Sequence, residues 1–197
     1  MRFPAFLMLI VCVWAGVSCL AQTYVPAVSA AAAVQPESQL DPNVAEAEAA
    51  IVKSNWEPAE SKLATYLVTH PDDSRALFDA GYVADAQNKF DDAAGFYRRA
   101  VQVNPRSFEA QVSLGLLLAR QGKMDEARPE LEAATQLDPG AAGNEAKARA
   151  WRALAQIDRA SAPTKASNDL LQALKLSQEK PHETLLAADL ATQAHQP

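Results

Sequence analysis

Residues 74–105, SRALFDAGYVADAQNKFDDAAGFYRRAVQVNP, and residues 108–139, FEAQVSLGLLLARQGKMDEARPELEAATQLDP, decide how this chain is read. Aligned on Pro105 and Pro139, the positions Phe90, Ala93, Tyr97 and Ala100 of the first fall on Met124, Ala127, Leu131 and Ala134 of the second. Pro71 stands a further 34 residues upstream, preceded at the same offsets by Trp56, Ala59, Leu63 and Tyr66. Only the last small residue is exchanged there, for a tyrosine. A fixed period with fixed internal offsets marks an array of helical units, each covering the apolar face that its neighbour cannot bury alone. Such an array points toward binding and away from chemistry, and it does not name the partner.

Within each period the large and small positions fall at helical spacing, and the breaks between them carry turn residues. The first helix is expected over Val44–Lys53, opened by Asp41 as a cap with Pro42 at the first helical position, and the second over Glu57–Thr69. Asp72 and Ser74 open the next pair, Arg75–Gln87 and Asp91–Val103; Ser107 opens the third, Phe108–Gln121 and Asp125–Leu137. Asn88 and Gly122 occupy equivalent turns, where a left-handed residue ends one helix and starts its partner. The three prolines follow the second helix of each pair, which they cannot extend. A fourth unit is irregular: one long helix over Gly143–Ala160 carries Trp151 and Leu154, and Ala166, Leu170 and Ala173 repeat the spacing five residues late, after the insertion RASAPTK with Pro163 near the next helix start. A last helix over His182–Ala194 is expected to cap the array.

Composition bounds the function classes. The chain has 197 residues, 49% hydrophobic but only 7% aromatic, with much alanine, which suits close-packed helices. Lys+Arg number 18 against Asp+Glu 24, a formal charge of −6, and that argues against a nucleic-acid binder, which needs a basic face to displace counterions. Residues 1–21 read as a secretory signal peptide: Arg2, then the uncharged run FPAFLMLIVCVWAGVSCLA. Cys19 and Ala21 are small residues at −3 and −1 of a cut before Gln22, the leading expectation. Val17-Ser18-Cys19 also resembles the end of a lipobox, with Gly16 where that motif prefers a larger aliphatic, and the apolar run approaches a spanning length, so lipidation at Cys19 and a retained anchor stay open. Both cysteines, Cys12 and Cys19, lie in this leader, leaving the rest with no disulfide, thiolate metal site or cysteine nucleophile. Residues 22–40, rich in Ala, Val, Pro and Ser, read as a flexible linker.

The offsets resemble the tetratricopeptide repeat family. Leu77, Gly81, Phe90, Ala93, Tyr97, Ala100 and Pro105 match its pattern in one repeat, and Leu114, Gly115, Leu118, Met124, Ala127, Leu131, Ala134 and Pro139 in the next. The unit ending at Pro71 matches in its second helix, NWEPAESKLATYLVTHP, while its first helix places Glu46 where a leucine is expected. The resemblance covers residues 41–178, divided at about 40–73, 74–107, 108–141 and a degenerate 142–178, with residues 179–197 as cap and tail. It implies an all-α fold, a right-handed superhelical array of antiparallel helix pairs with a concave face lined by the first helices. Carried over, the groove positions are Arg75, Phe78, Asp79, Tyr82 and Asp85 in one repeat and Glu109, Val112, Ser113, Leu116 and Arg120 in the next. Aromatic, aliphatic and oppositely charged residues together suit an extended peptide or a partner helix. Some members hold a peptide C-terminus in a carboxylate clamp, but Asp79, Glu109 and Ser113 stand where that clamp needs amide or basic groups, so it is disfavoured.

Each conspicuous residue also has a plain packing reading. Phe78 and Tyr82, one turn apart, face either the groove or the preceding repeat; Trp56 and Trp151 are expected to be core. His70, His182 and His195 are isolated, with no metal-ligand spacing, and Asp72-Asp73 and Asp91-Asp92 sit at helix starts, where carboxylates complement the dipole. No phosphate loop and no Gly-x-Ser-x-Gly elbow is present. The expectation is a non-catalytic scaffold without cofactor or metal, exported in a bacterial envelope and binding another protein. The alternatives are a lipid-anchored outer-membrane or pilus assembly component and a self-associating structural module.

Overall fold

The computed structural model describes residues 41–140, 143–177 and 181–194. The signal peptide expected over 1–21, the linker over 22–40, Cys19 and His195 lie outside the described residues. The described residues form helices α1 Pro42–Val52, α2 Trp56–Thr69, α3 Ser74–Ala86, α4 Phe90–Val103, α5 Phe108–Arg120, α6 Met124–Gln136, α7 Asn144–Asp158, α8 Pro163–Leu176 and α9 Pro181–Ala194. Among them there is no strand, and each helix packs on its neighbours in chain order, the arrangement of an α-solenoid.

The caps explain where the helices begin. Asp41 Oδ1 accepts the Asn43 N–H at 2.8 Å with Pro42 in the first turn, and Ser107 Oγ accepts the Ala110 N–H at 3.4 Å. At α3 the cap is Asp73, not Asp72 or Ser74: its Oδ1 accepts the Arg75 and Ala76 amides at 2.9 and 3.1 Å, and Ser74 is already helical. Tyr66, which breaks the small-residue rule at the end of α2, donates its hydroxyl to the other oxygen of that carboxylate at 2.8 Å. The exchange therefore ties the end of one pair to the cap of the next.

The turns inside the pairs repeat the period in their backbone. Asn88 and Gly122 have φ of 62° and 79°, and Ser54, 34 residues before Asn88, has 57°. Each left-handed residue lets the following amide reach back into the helix just ended. Asn55, Lys89 and Lys123 donate to the carbonyls of Ala50, Ala84 and Leu118 at 2.9, 2.9 and 3.0 Å.

Packing within a pair depends on one small position. Tyr97 of α4 lies over Gly81 of α3, and Leu131 of α6 lies over Gly115 of α5; both large side chains are fully buried. Ala47 takes the glycine's place in the first pair, fully buried with Leu63 of α2 in the same cluster. Glu46 of α1, at the position of the missing leucine, is exposed and pairs with Lys62 at 2.5 Å. Trp56 and Trp151 are partly buried against the cores, as packing residues.

Between pairs, second helices meet through charges that change order along the stack. Lys89 and Gln87 hold Glu60 at 2.6 and 3.0 Å, and Arg98 of α4 holds Glu126 of α6 at 2.7 Å. At the next junction the polarity is reversed, Glu132 of α6 meeting Lys165 of α8 at 2.7 Å. Lys165 also reaches Asp158 at 3.0 Å, and Arg128 approaches that carboxylate at 2.6 Å, so the 2% exposed Asp158 at the end of α7 is enclosed by two cations. Beyond it, α9 lays Ala187 and Leu190 on Ala155, Ala166 and Leu170, and the Ala187 carbonyl accepts the Ser167 hydroxyl at 2.8 Å.

The glycines separate packing from propensity. A Cβ at Gly81 would sit 2.6 Å from two ring carbons of Tyr97, and one at Gly115 would sit 2.7 Å from Leu131 Cγ and 3.2 Å from its backbone nitrogen. Gly81→Ala and Gly115→Ala are each expected to lower stability by about 1–3 kcal/mol in urea unfolding, the usual cost of overpacking. Gly95 of α4, with nothing within 4 Å of its added Cβ, is the control. Gly95→Ala is expected to raise stability by about 0.5–1 kcal/mol through backbone entropy alone.

Candidate functional site

Residues of the first helices α3, α5 and α7 together line a groove of about 550 Å³. Its walls include Phe78, Tyr82 and Asp85 from α3, and Glu109, Val112, Ser113, Leu116 and Arg120 from α5. Tyr82 is 45% exposed, its ring held at 68° against Trp56, centroids 6.1 Å apart. Trp56 is thus a packing residue that also braces a groove residue. Phe78 is half-buried against the ring of Tyr97, 5.8 Å between centroids, so it belongs to both core and groove. Val112 is buried in the main core and shows the groove only an edge.

Two of the ten expected positions, Arg75 and Asp79, do not line this cavity. Arg75 pairs with Glu48 of α1 at 2.5 Å, and Asp79 is packed on the same side. Asp79 lies largely buried beside Glu48 of α1, whereas Arg75 keeps 61% of its side chain in solvent. Burial, reinforced by the charge of Glu48, pushes the Asp79 carboxyl up to about 6, and its Oδ2 has no donor. Of the residues set against a carboxylate clamp, Glu109 and Ser113 line the groove and Asp79 does not.

The groove's polar groups divide into engaged and available. Asp85 and Arg120 form an ion pair, and the Arg120 guanidinium stacks 4.9 Å from the Phe90 ring centroid. Burial pushes the Tyr97 hydroxyl far above the usual phenol range, with the Ser113 side chain pulling the other way. Glu109 and Arg149 are exposed, and neither joins an ion pair among the described residues. The result is an apolar, partly aromatic trough with one acid and one base available to a ligand.

Sequence reasoning missed the α7 wall, made by Gly143, Ala146 and Arg149, together with Tyr97, Phe108, Leu117 and Pro139. The signal was present: Gly143, Ala146 and Arg149 stand three apart, one stripe of a helix. The 34-residue frame equates Arg149 with Gly115, a position that faces its own partner helix, so the frame conceals it. A second cavity, about 300 Å³, opens between α2 and α4 over Ala64, Ala80 and Ala84. Leu114 and Leu118, buried in the next repeat, replace Ala80 and Ala84 there. Among the described residues no cluster of His, Cys, Asp or Glu could hold a metal, and His70 is stacked on Tyr66 at 4.3 Å.

A family model described as Tetratricopeptide repeat matches residues 44–102 and 79–142. A search of curated proteins gave no match. Among solved structures, MamA from Desulfovibrio magneticus RS-1 superposes with a TM-score of 0.62 at 19% identity, over 77% of this chain and 90% of that one. Pseudomonas aeruginosa pilF gives 0.62 at 22% identity, over 77% and 67%. A tetratricopeptide repeat protein from Parabacteroides merdae gives 0.63 at 15% identity, over 77% and 59%. At these identities the likeness concerns the fold.

Asp79 makes stability depend on pH. Its folded value of about 6 lies above the ordinary 3.8, so its contribution is complete below about pH 4 and is lost as pH rises through 6. Asp79→Asn, neutral throughout, is expected to stabilise the protein by about 1 kcal/mol at pH 7.5 and to change little at pH 4.5, after discounting the shift for the solvent that reaches the site. Thermal melts of both proteins at the two pH values measure the difference.

Proposed function

This chain belongs to the tetratricopeptide repeat family, and we propose that it is a non-catalytic scaffold whose α3–α5–α7 groove captures an extended peptide or an amphipathic helix of a partner protein. The observation that carries this reading is the trough itself: Phe78, Tyr82, Phe108 and Leu116 form apolar ground, with Glu109 and Arg149 available beside it. An apolar partner segment gains burial along the trough, and a basic and an acidic group on that segment orient it. The remaining charged pair, Asp85 with Arg120, is already satisfied and sets the wall between Phe90 and the groove.

The protein acts, in this proposal, after export. The support is Arg2 with the apolar run after it and the small residues Cys19 and Ala21 before Gln22. A second reading, a lipid-anchored assembly component of the outer membrane, is favoured by Val17-Ser18-Cys19. Among the described residues no helix is long and apolar enough to cross a membrane.

A photo-crosslinking residue at position 82 is expected to trap the partner, and one at the exposed Val68, on α2, is not. Tyr82→Ala and Leu116→Ala should each weaken binding of the trapped partner about tenfold, a loss of ~1.4 kcal/mol, with helicity unchanged. Binding that survives both substitutions excludes the groove. For the leader, N-terminal sequencing of the mature protein is expected to begin at Gln22. Palmitate incorporation abolished by Cys19→Ser would instead establish the lipid anchor.

A further inference from the structure

Successive second helices leave a crevice on the face of the stack away from the groove. Between α2 and α4 it is lined by Ala64, Val68, Asp92 and Phe96. The equivalent places between α6 and α8 hold Glu132, Gln136, Lys165 and Asp169, 68 residues further on for α6 and 73 for α8, which follows the five-residue insertion. Where one junction has a phenyl ring, the other has a carboxylate.

Asp169 is 5% exposed and its Oδ2 is enclosed without a hydrogen-bond donor, yet the residue lines an open crevice of about 490 Å³. A carboxylate removed from water without a donor is costly, and proteins retain one where something completes it. The neighbouring charges do not. Arg128 is engaged with Asp158 at 2.6 Å, and Lys165 is engaged with Glu132 at 2.7 Å and Asp158 at 3.0 Å. The cluster therefore holds two cations against three carboxylates, and Asp169 is the one left over. The indole of Trp151 walls the same crevice.

We propose that this crevice receives an arginine side chain of a partner protein, its guanidinium lying beside the Trp151 indole and donating to the Asp169 carboxylate. One added positive charge balances the cluster. A planar, weakly hydrated guanidinium suits an aromatic wall and a carboxylate together better than a compact ammonium does. The open side of the crevice admits a side chain carried on a polypeptide, and the site lies apart from the groove of α3, α5 and α7, so the two can be occupied at once. Burial first, then the charges of Asp158 and Glu132, push the Asp169 carboxyl up to about 6 against the pull of Lys165 and Arg128, so the free site loses its charge in mild acid.

The test is an NMR titration of the full-length chain with three blocked tripeptides, acetyl-Gly-Xaa-Gly-amide, in which Xaa is arginine, lysine or citrulline. The readout is the Trp151 indole N–H, assigned with Trp151→Phe. The arginine peptide is expected to shift it saturably at pH 7.5, at least tenfold more tightly than neutral, isosteric citrulline and more tightly than lysine. Asp169→Asn should weaken arginine binding at least tenfold, and Asp85→Asn, in the groove, should leave it unchanged. Binding by the unsubstituted chain should fall at least threefold between pH 7.5 and 5.0, which decides the matter if Asp169→Asn does not fold. Equal affinity for arginine and citrulline, no saturable shift, retention of binding in Asp169→Asn, or affinity constant with pH overturns the site. Lysine binding as tightly as arginine overturns the guanidinium assignment.

Discussion

The two central pairs of this array rest on helices approaching where the first has no side chain. Gly81 under Tyr97 and Gly115 under Leu131 let each second helix settle onto its partner, and both large residues disappear from solvent as a result. The effect reaches the groove. Because Tyr97 crosses the Gly81 position, its ring packs on Phe78 and lines the trough beside Ser113, and so belongs to the trough as well as the core. A side chain added to Gly81 would therefore move a wall of the binding surface, not only a packing contact.

Once the framework has consumed its apolar residues, the character of each surface is set by what is left unpaired. In the groove the Asp85–Arg120 pair is closed on itself, while Glu109 and Arg149 are open. Elsewhere two carboxylates, Asp79 and Asp169, are buried without a donor to one oxygen, and both are held at about 6. They differ in access. Asp79 is enclosed between α1 and α3, where its charge is a cost to the fold, whereas Asp169 lines a crevice a ligand can enter.

The fold was legible because its signals are local. The spacing of Ala93, Tyr97 and Ala100 and the turn residues Asn88 and Gly122 specify helix pairs without reference to anything distant. Ser54 shows how far the backbone rule extends: a residue with no special claim to φ 57° adopts it because the same turn must be made. The groove was legible only in part, because it depends on how neighbours cover one another. The pattern places Arg75 and Asp79 on the open face; Arg75 stays exposed there but is paired with Glu48 of α1, and Asp79 is largely buried beside the same acid. It places Arg149 against its own pair, and only the packing of α7 turns it outward. The Asp169 crevice was hidden further, behind a shift of frame that makes its kinship with Phe96 invisible at a period of 34.

The reversal of charge between junctions has a consequence for assembly. Self-similar units invite a chain to stack the wrong pair, since every second helix offers much the same small and large positions. If α8 docked on α4 in place of α6, Lys165 would meet Arg98, two like charges where the native order offers each a carboxylate. Each exposed pair is weak, on the order of 0.5 kcal/mol. Two lost attractions and one new repulsion nonetheless act together at the moment when apolar burial alone would scarcely distinguish one neighbour from another, so the alternation serves as an address for each helix.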